Sequence, residues 1–228
     1  MKRAIFRKPG LALLIAAVVF VAFTGVLKFN SEMSIRQQIL QWIYPALMKT
    51  GKVFGANEKV LANVNSIQPL RSLFGYTITL NDGTLLPLQS LKGKKILLVN
   101  TASDCGYTAQ YEALQQLYDR YSDKLVIIAF PANDFKDQEA GDDAAIASFC
   151  KKNYGISFPL ARKTSVVKSA GQEQVFQWLS DSHFNGWCNQ QPEWNFSKYL
   201  IDEQGMLTHY FPSAVSPIDP AVTTSIEQ

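Results

Sequence analysis

A chain of 228 residues, 47% apolar and 18% charged, can bury one substantial core but hardly two. Its net charge of +3 is small and part of the excess lies in the first eight residues, so no nucleic acid or other polyanion is implied as a partner. Three cysteines, an odd count, argue against a framework made only of structural disulfides.

Lys2, Arg3, Arg7 and Lys8 precede an uninterrupted apolar or small run from Leu11 to Leu27. At the α-helical rise such a run reaches roughly 25 Å, within range of a bilayer core of about 30 Å once its flanks snorkel. Ala22-Phe23-Thr24-Gly25 is a poor cleavage site, so residues 1–30 are expected to be a signal anchor, a transmembrane helix that is retained. Positive charge is heavier before the run than after it, which keeps the N-terminus in the cytoplasm and the remainder outside, at the periplasmic face of a bacterial inner membrane. Cleavage would instead release a secreted or periplasmic protein.

Residues 31–71 read as a connector. Ile35, Ile39, Trp42, Ile43, Ala46 and Leu47 recur at helical spacing, predicting an amphipathic helix from Ser34 to Met48 that Pro45 kinks or shortens. This helix either lies on a membrane surface or packs on the domain. Thr50 to Pro69 reads as loop with a short helix around Glu58 to Ala62.

The main domain is expected over 72–228. Tyr76 to Leu80 and Thr84 to Leu88 flank Asn81-Asp82-Gly83, a hairpin signal because these turn residues tolerate positive φ. Lys95 to Val99 is a β-branched strand, Ala109 to Tyr121 a helix with Tyr111, Leu114, Leu117, Tyr118 and Tyr121 on one face, and Lys124 to Phe130 a continuous apolar strand. The three make a right-handed parallel crossover. A polar loop to Gly141 leads to a helix capped by Asp142 or Asp143 that runs to Lys152 with Ile146, Phe149 and Cys150 inward. Then come an extended Ser157 to Leu160, a helix from Gln172 to Ser180, a hairpin of Lys198 to Asp202 with Met206 to Phe211, and a terminal helix from Pro217 to Ile226. The order is that of a thioredoxin-like α/β fold, a central mixed sheet flanked by helices, with an N-terminal hairpin extension.

Cys105 lies where the first buried strand hands over to a helix. Backbone N–H groups at such a junction stabilise thiolate, and the open end of a parallel sheet admits a substrate. A lone Cys is also a common small core residue, a reading that the polar neighbours Ser103, Asp104 and Thr108 oppose.

Four segments in order resemble the glutathione peroxidases, in their cysteine-based branch. Asn100 to Thr108 is similar to the family's Asn-Val-Ala-Ser-x-Cys-Gly-x-Thr turn. Phe130 to Glu139 is similar to its Phe-Pro-Cys-Asn-Gln-Phe-Gly-x-Gln-Glu loop. Phe149-Cys150 through Pro159 resembles its resolving-cysteine helix and following strand, and Trp194 to Leu200 resembles its Trp-Asn-Phe-x-Lys-Phe-Leu block. The resemblance implies a catalytic tetrad of Cys105, Gln138, Trp194 and Asn195, with Cys150 as resolving thiol. It implies a thiol peroxidase acting on hydrogen peroxide or organic and lipid hydroperoxides, with no metal or prosthetic cofactor, a thioredoxin-like protein or glutathione as reductant, and a monomeric chain. Neutral donors suit this chemistry, since Gln, Trp and Asn favour thiolate by hydrogen bonding without adding a cation. His183 and His209 fall outside all four segments, which disfavours a Cys-His hydrolase.

Departures cluster in one loop. Ala132 stands where many members have Cys, Asp134 replaces an amide residue, Lys136 a Gly and Ala140 a Pro. A carboxylate at Asp134 would disfavour thiolate if it approached Cys105. Cys188 has no role implied. Two other readings stay open: a thioredoxin-like thiol-disulfide carrier, opposed by Thr108 where a Cys-x-x-Cys would need its second Cys, and a binding module with degenerate activity.

Overall fold

The computed structural model of the chain describes residues 33–53 and 59–228. The apolar run Leu11 to Leu27 and the expected anchor lie outside the described residues. Among the described residues no helix is long and apolar enough to cross a membrane.

Helix α1, Ile35–Val53, continues through Pro45 beyond the expected stop at Met48. One proline removes a single rung of the ladder, and Gln41 before it and Ala46, Leu47 and Met48 after it are good helix formers. Strand β1, Leu61–Ala62, stands where the sequence reading put a short helix. It pairs antiparallel with strand β7, Leu207–Phe211, setting Leu61 against Tyr210 and Ala62 against His209. The main sheet therefore recruits chain upstream of Ser72, where the domain was expected to start. Two residues at a sheet edge carry no periodicity from which to read them.

The expected hairpin forms as β2, Thr77–Thr79, and β3, Leu85–Pro87, turned by Gly83 at φ 85°. The central strands are β4, Lys95–Thr101, β5, Leu125–Pro131, and β6, Lys198–Ile201. Sheet order is β1-β7-β6-β4-β5, with β4 parallel to β5 and antiparallel to β6, the mixed thioredoxin-like arrangement. Outside β5, Leu160 bridges Ala129 and Ala161 bridges Leu80, so the segment expected to be extended makes single bridges to β5 and the hairpin rather than a sixth strand.

All seven β4 residues are buried, and alternate side chains enter two separate cores. Leu97 and Val99 face helices α2, Gln110–Tyr121, α3, Asp143–Tyr154, and α6, Pro220–Glu227. Ile96 and Leu98 face the hairpin and helix α4, Gln174–Leu179, which precedes the short α5, Ser182–Asn185. Helix α4 begins two residues later than expected because Gln172 is engaged elsewhere, its Nε2 donating to the Val166 carbonyl at 3.0 Å. Asp142 caps α3 by accepting from Ala145 N–H, and Gly155, at φ 63°, closes its other end. Cys105 and Cys150 share the α2–α3 core, whereas Cys188 lies in the core across the sheet.

Candidate active site

Between β4 and α2 the chain folds back on the Thr108 hydroxyl, which accepts the Cys105 N–H at 3.0 Å and lies 2.9 Å from the Ala102 carbonyl and 2.8 Å from that of Cys105. The result is a rigid turn that points Tyr107 N–H at the Cys105 sulfur, 3.4 Å away. Helix α2 starts only at Gln110, so this turn amide, and not the helix terminus anticipated from sequence, is the backbone donor. Nor is the thiol open: Cys105 is 1% exposed. Burial pushes its pKa above the ordinary thiol value. Hydrogen bonding from Tyr107 N–H and from the Trp194 and Asn195 side chains pulls it back, and the neighbouring Asp104 adds to the rise.

Trp194 and Asn195 reach the thiol because Asn100 holds their turn. Fully buried at the end of β4, Asn100 donates from Nδ2 to the Trp194 carbonyl at 3.1 Å and accepts Ser197 N–H at 3.0 Å, while its own carbonyl accepts Phe196 N–H at 2.6 Å. Phe196, thus pinned, sits at φ 68°. Asn100 opens the motif of the cysteine turn, to which the resemblance assigns no role at this position. The signal was an Asn closing a β-branched strand, where strand preference alone disfavours it.

Gln138, the remaining member of the expected tetrad, stands one contact away from the sulfur. Its Oε1 accepts from Asn195 Nδ2 at 2.9 Å, and its carbonyl accepts Asp104 N–H at 3.0 Å, so it orients the Asn amide and braces the cysteine turn. The variant loop that carries it is held by its substitutions. Asp134 faces away from Cys105, accepting from Ser165 Oγ at 2.8 Å and Val166 N–H at 2.7 Å. The feared approach of a carboxylate to the thiol does not occur there. Lys136, in the Gly position of the motif, adopts φ 53° as a glycine would, and Asp137 follows at φ 52°. The Lys136 ammonium stands 5.4 Å from the centre of the Trp194 ring, and Phe135 packs on the same indole at 5.6 Å.

Cys150 lies on the inner face of α3, fully buried, with its pKa pushed up to about 12 by desolvation. Both it and Cys105 are free thiols. The buried Tyr111 hydroxyl faces Cys150 and the Thr101 hydroxyl without closing a hydrogen bond of good geometry to either. Cys188 is clamped instead: its N–H donates to Asn185 Oδ1 and its carbonyl accepts from Asn185 Nδ2, both at 2.7 Å. Neither histidine enters the site. His183 is exposed beside Asp181, and His209 is a partly buried neighbour of Thr208 on β7.

Helix α1 roofs the cysteine turn. Arg36 pairs with Asp104 at 2.6 Å, and Gln37 Nε2 donates to the Ser103 carbonyl at 3.0 Å. Between α1, the Gln138 loop and α3 lies a cavity of about 350 Å³ lined by Gln37, Ser103, Asp104, Gln138, Glu139 and Phe149. A larger recess of about 690 Å³, beside His183 and Phe184, contains no member of the tetrad.

The geometry is a buried nucleophilic sulfur surrounded by neutral N–H donors, suited to stabilising both a thiolate and an oxyanion leaving it. Comparison with known proteins bears on the family. The glutathione peroxidase family profile matches residues 73–180. The glutathione peroxidase homolog BsaA of Staphylococcus epidermidis is 38% identical over 160 residues, 70% of this chain and 99% of that protein. The glutathione peroxidase-like peroxiredoxin gpx1 of Schizosaccharomyces pombe is 42% identical over 137 residues, 60% and 85% of the two chains. Among solved structures, apo Trgpx aligns with TM-score 0.53 and 27% identity over 70% of this chain and 97% of its own. Members of this family take a thiol as co-substrate rather than a prosthetic group. With relatives of this similarity matched over nearly their whole length, the chain belongs to the glutathione peroxidase family and is a peroxidase.

Proposed function

We propose that the chain reduces hydrogen peroxide or organic hydroperoxides at Cys105 and is recycled through a Cys105–Cys150 disulfide. The observation that carries this reading is the convergence of Tyr107 N–H, Trp194 and Asn195 on one buried sulfur. The Cys105 thiolate attacks the nearer peroxide oxygen and the O–O bond breaks. The departing alkoxide or hydroxide takes up a proton, and Cys105 is left as sulfenic acid. The Cys150 sulfur then displaces the hydroxyl, which leaves as water, and the disulfide is reduced by two thiols of a thioredoxin-like protein or glutathione. Because Cys150 is buried within a helix capped at both ends, the pairing requires α3 to open locally.

A membrane site for this chemistry is supported by the apolar run Leu11 to Leu27 and by Ile35, Ile39 and Trp42, which are exposed along one face of α1 while Arg36 and Gln37 of the same helix hold the cysteine turn. In this reading a monomer is anchored with its domain in the periplasm and meets lipid hydroperoxides at the bilayer surface. The test is peroxide consumption by the reduced full-length chain with a dithiol, followed by mass analysis of which cysteines pair. Disulfide between Cys105 and Cys188 in place of Cys150 would sink the cycle as written.

A further inference from the structure

Glu139 is a buried acid that the peroxidase cycle above leaves idle. It is 1% exposed, and its carboxylate is hydrogen-bonded by Ser103, through Oγ to Oε2 at 3.2 Å and through the backbone N–H. The nearest cation gives it little: Lys163 Nζ donates to the main-chain carbonyls of Gly141 at 2.5 Å and of Glu139 itself at 3.5 Å. A carboxylate held in a core by one serine is expensive unless it serves something.

Its position suggests what. Ser103 is two residues from Cys105 in the same turn, and the cavity wall that includes Glu139 continues along α3 through Ile146 and Phe149, the turn of helix immediately before Cys150. Glu139 thus stands between the turn bearing one thiol and the helix face bearing the other. Asp104 and Ser103 face it from the turn, Tyr111 from α2, Cys150 from α3 and Lys163 from the segment after β5; Arg36 of α1 is engaged with Asp104.

We propose that Glu139 carries the proton in the step that joins Cys105 to Cys150, held through Ser103 to the turn that bears Cys105 and facing the side of α3 that bears Cys150. The inference rests on Cys150 being the resolving thiol. As the Cys150 sulfur forms its bond to the sulfur of Cys105, its proton passes to the Glu139 carboxylate. The S–O bond of the sulfenic acid breaks, the hydroxide takes the proton back from Glu139, and water leaves. Sulfenic acid and thiol become disulfide and water, and Glu139 ends the step as it began. Burial, opposed by Ser103 and Lys163 and assisted by Asp104, lifts the Glu139 pKa to about 7, so the accepting form is available at neutral pH, whereas Cys150, at about 12, does not ionise unaided.

The test mixes the reduced full-length chain with one equivalent of hydrogen peroxide and follows sulfenate formation and then disulfide formation from pH 5 to 9, by stopped flow with sulfenate trapping. In the native chain the second phase should rise with pH and level off above about 7. In Glu139→Gln the second phase should slow relative to the first by about 10²-fold and lose that inflection, and Glu139→Asp should restore part of both. An unchanged pH profile in Glu139→Gln overturns the proposal, as does an equal loss of both phases that Asp does not rescue. Cys150→Ser separates the two ideas: disulfide formation at the native rate in that variant refutes the role of Cys150 itself, while a sulfenate that persists leaves the Glu139 result to be read alone.

Discussion

The two faces of the sheet bury the same kinds of side chain to the same depth and treat polar groups in opposite ways. On the α4 face the polar atoms close on one another: Asn185 uses both ends of its amide on Trp178, Leu179, Trp187 and Cys188, and the Trp178 indole N–H donates to the Arg71 carbonyl at 2.6 Å. On the α2–α3 face Thr101, Tyr111, Tyr154 and Asn195 each keep a buried oxygen without a closed hydrogen bond, beside the two thiols. Such atoms cost stability and are rare in proteins. They are tolerated where groups must exchange partners as a reaction proceeds, and the face that carries them is the one on which Cys105 changes from thiol to sulfenic acid to disulfide. A buried cysteine is therefore not one thing. Cys188 is a packed side chain in a satisfied network, and Cys150 is a thiol in a network left open.

Substitution at the thiols tests this contrast most severely. Cys105→Ser should abolish peroxide consumption, a loss of more than about 10³-fold in an assay coupled to dithiol oxidation; residual turnover near the native level would remove Cys105 from the mechanism. Cys150→Ser should permit one oxidation per chain and then stall, with a trappable sulfenate and no steady-state turnover by a dithiol. Cys188→Ala should leave turnover within about twofold and lower stability by about 1 kcal/mol, measured by urea unfolding, because it removes one small buried group from a closed core. If Cys188→Ala stalled the cycle as Cys150→Ser does, the two faces would not differ in the way described.

How far the sequence discloses this contrast depends on what kind of signal each part leaves. The strands β4 and β5 are visible as apolar runs and α2 as a helical stripe, because burial on a periodic element writes a pattern into the chain. Strand β1 leaves none, since two residues on a sheet edge have no period. Cys105, Gln138, Trp194 and Asn195 stand out through motifs in order, yet their arrangement does not: Gln138 touches Asn195 rather than the sulfur, and a backbone N–H, that of Tyr107, joins the side-chain donors at the sulfur. Residue types announce donors, whereas the choice of acceptor is made by backbone geometry from four separate segments. Asp134 is of this kind: a carboxylate beside a thiol disfavours thiolate, but this one is turned to Ser165 and Val166.

Asn100 tests the link between fold and site at smaller scale. Asn100→Ala removes both side-chain bonds to the Trp194 turn, leaving Ser197 N–H without its acceptor in the core. A loss of about 2–3 kcal/mol is expected, with the larger relative effect on turnover because Trp194 and Asn195 lose their anchor. Native activity at reduced stability would show that the turn is held by packing alone.

The smallest effect comes from Lys136. At φ 53° a residue with a Cβ is strained by about 1 kcal/mol, and its ammonium over Trp194 returns about half of that from an exposed position. Two substitutions separate these terms. Lys136→Ala loses the cation and keeps the strain; Lys136→Gly loses both, though the glycine adds chain entropy to the unfolded state. Strain at this position predicts that the glycine variant is the more stable of the two, by about 0.5–1 kcal/mol in urea unfolding. Turnover should be nearly equal in both, since each leaves Asn195 and Gln138 joined. A glycine variant no more stable than the alanine one would mean that the loop carries no local strain at Lys136, and the cost of the open face would then lie in its unpaired polar atoms alone.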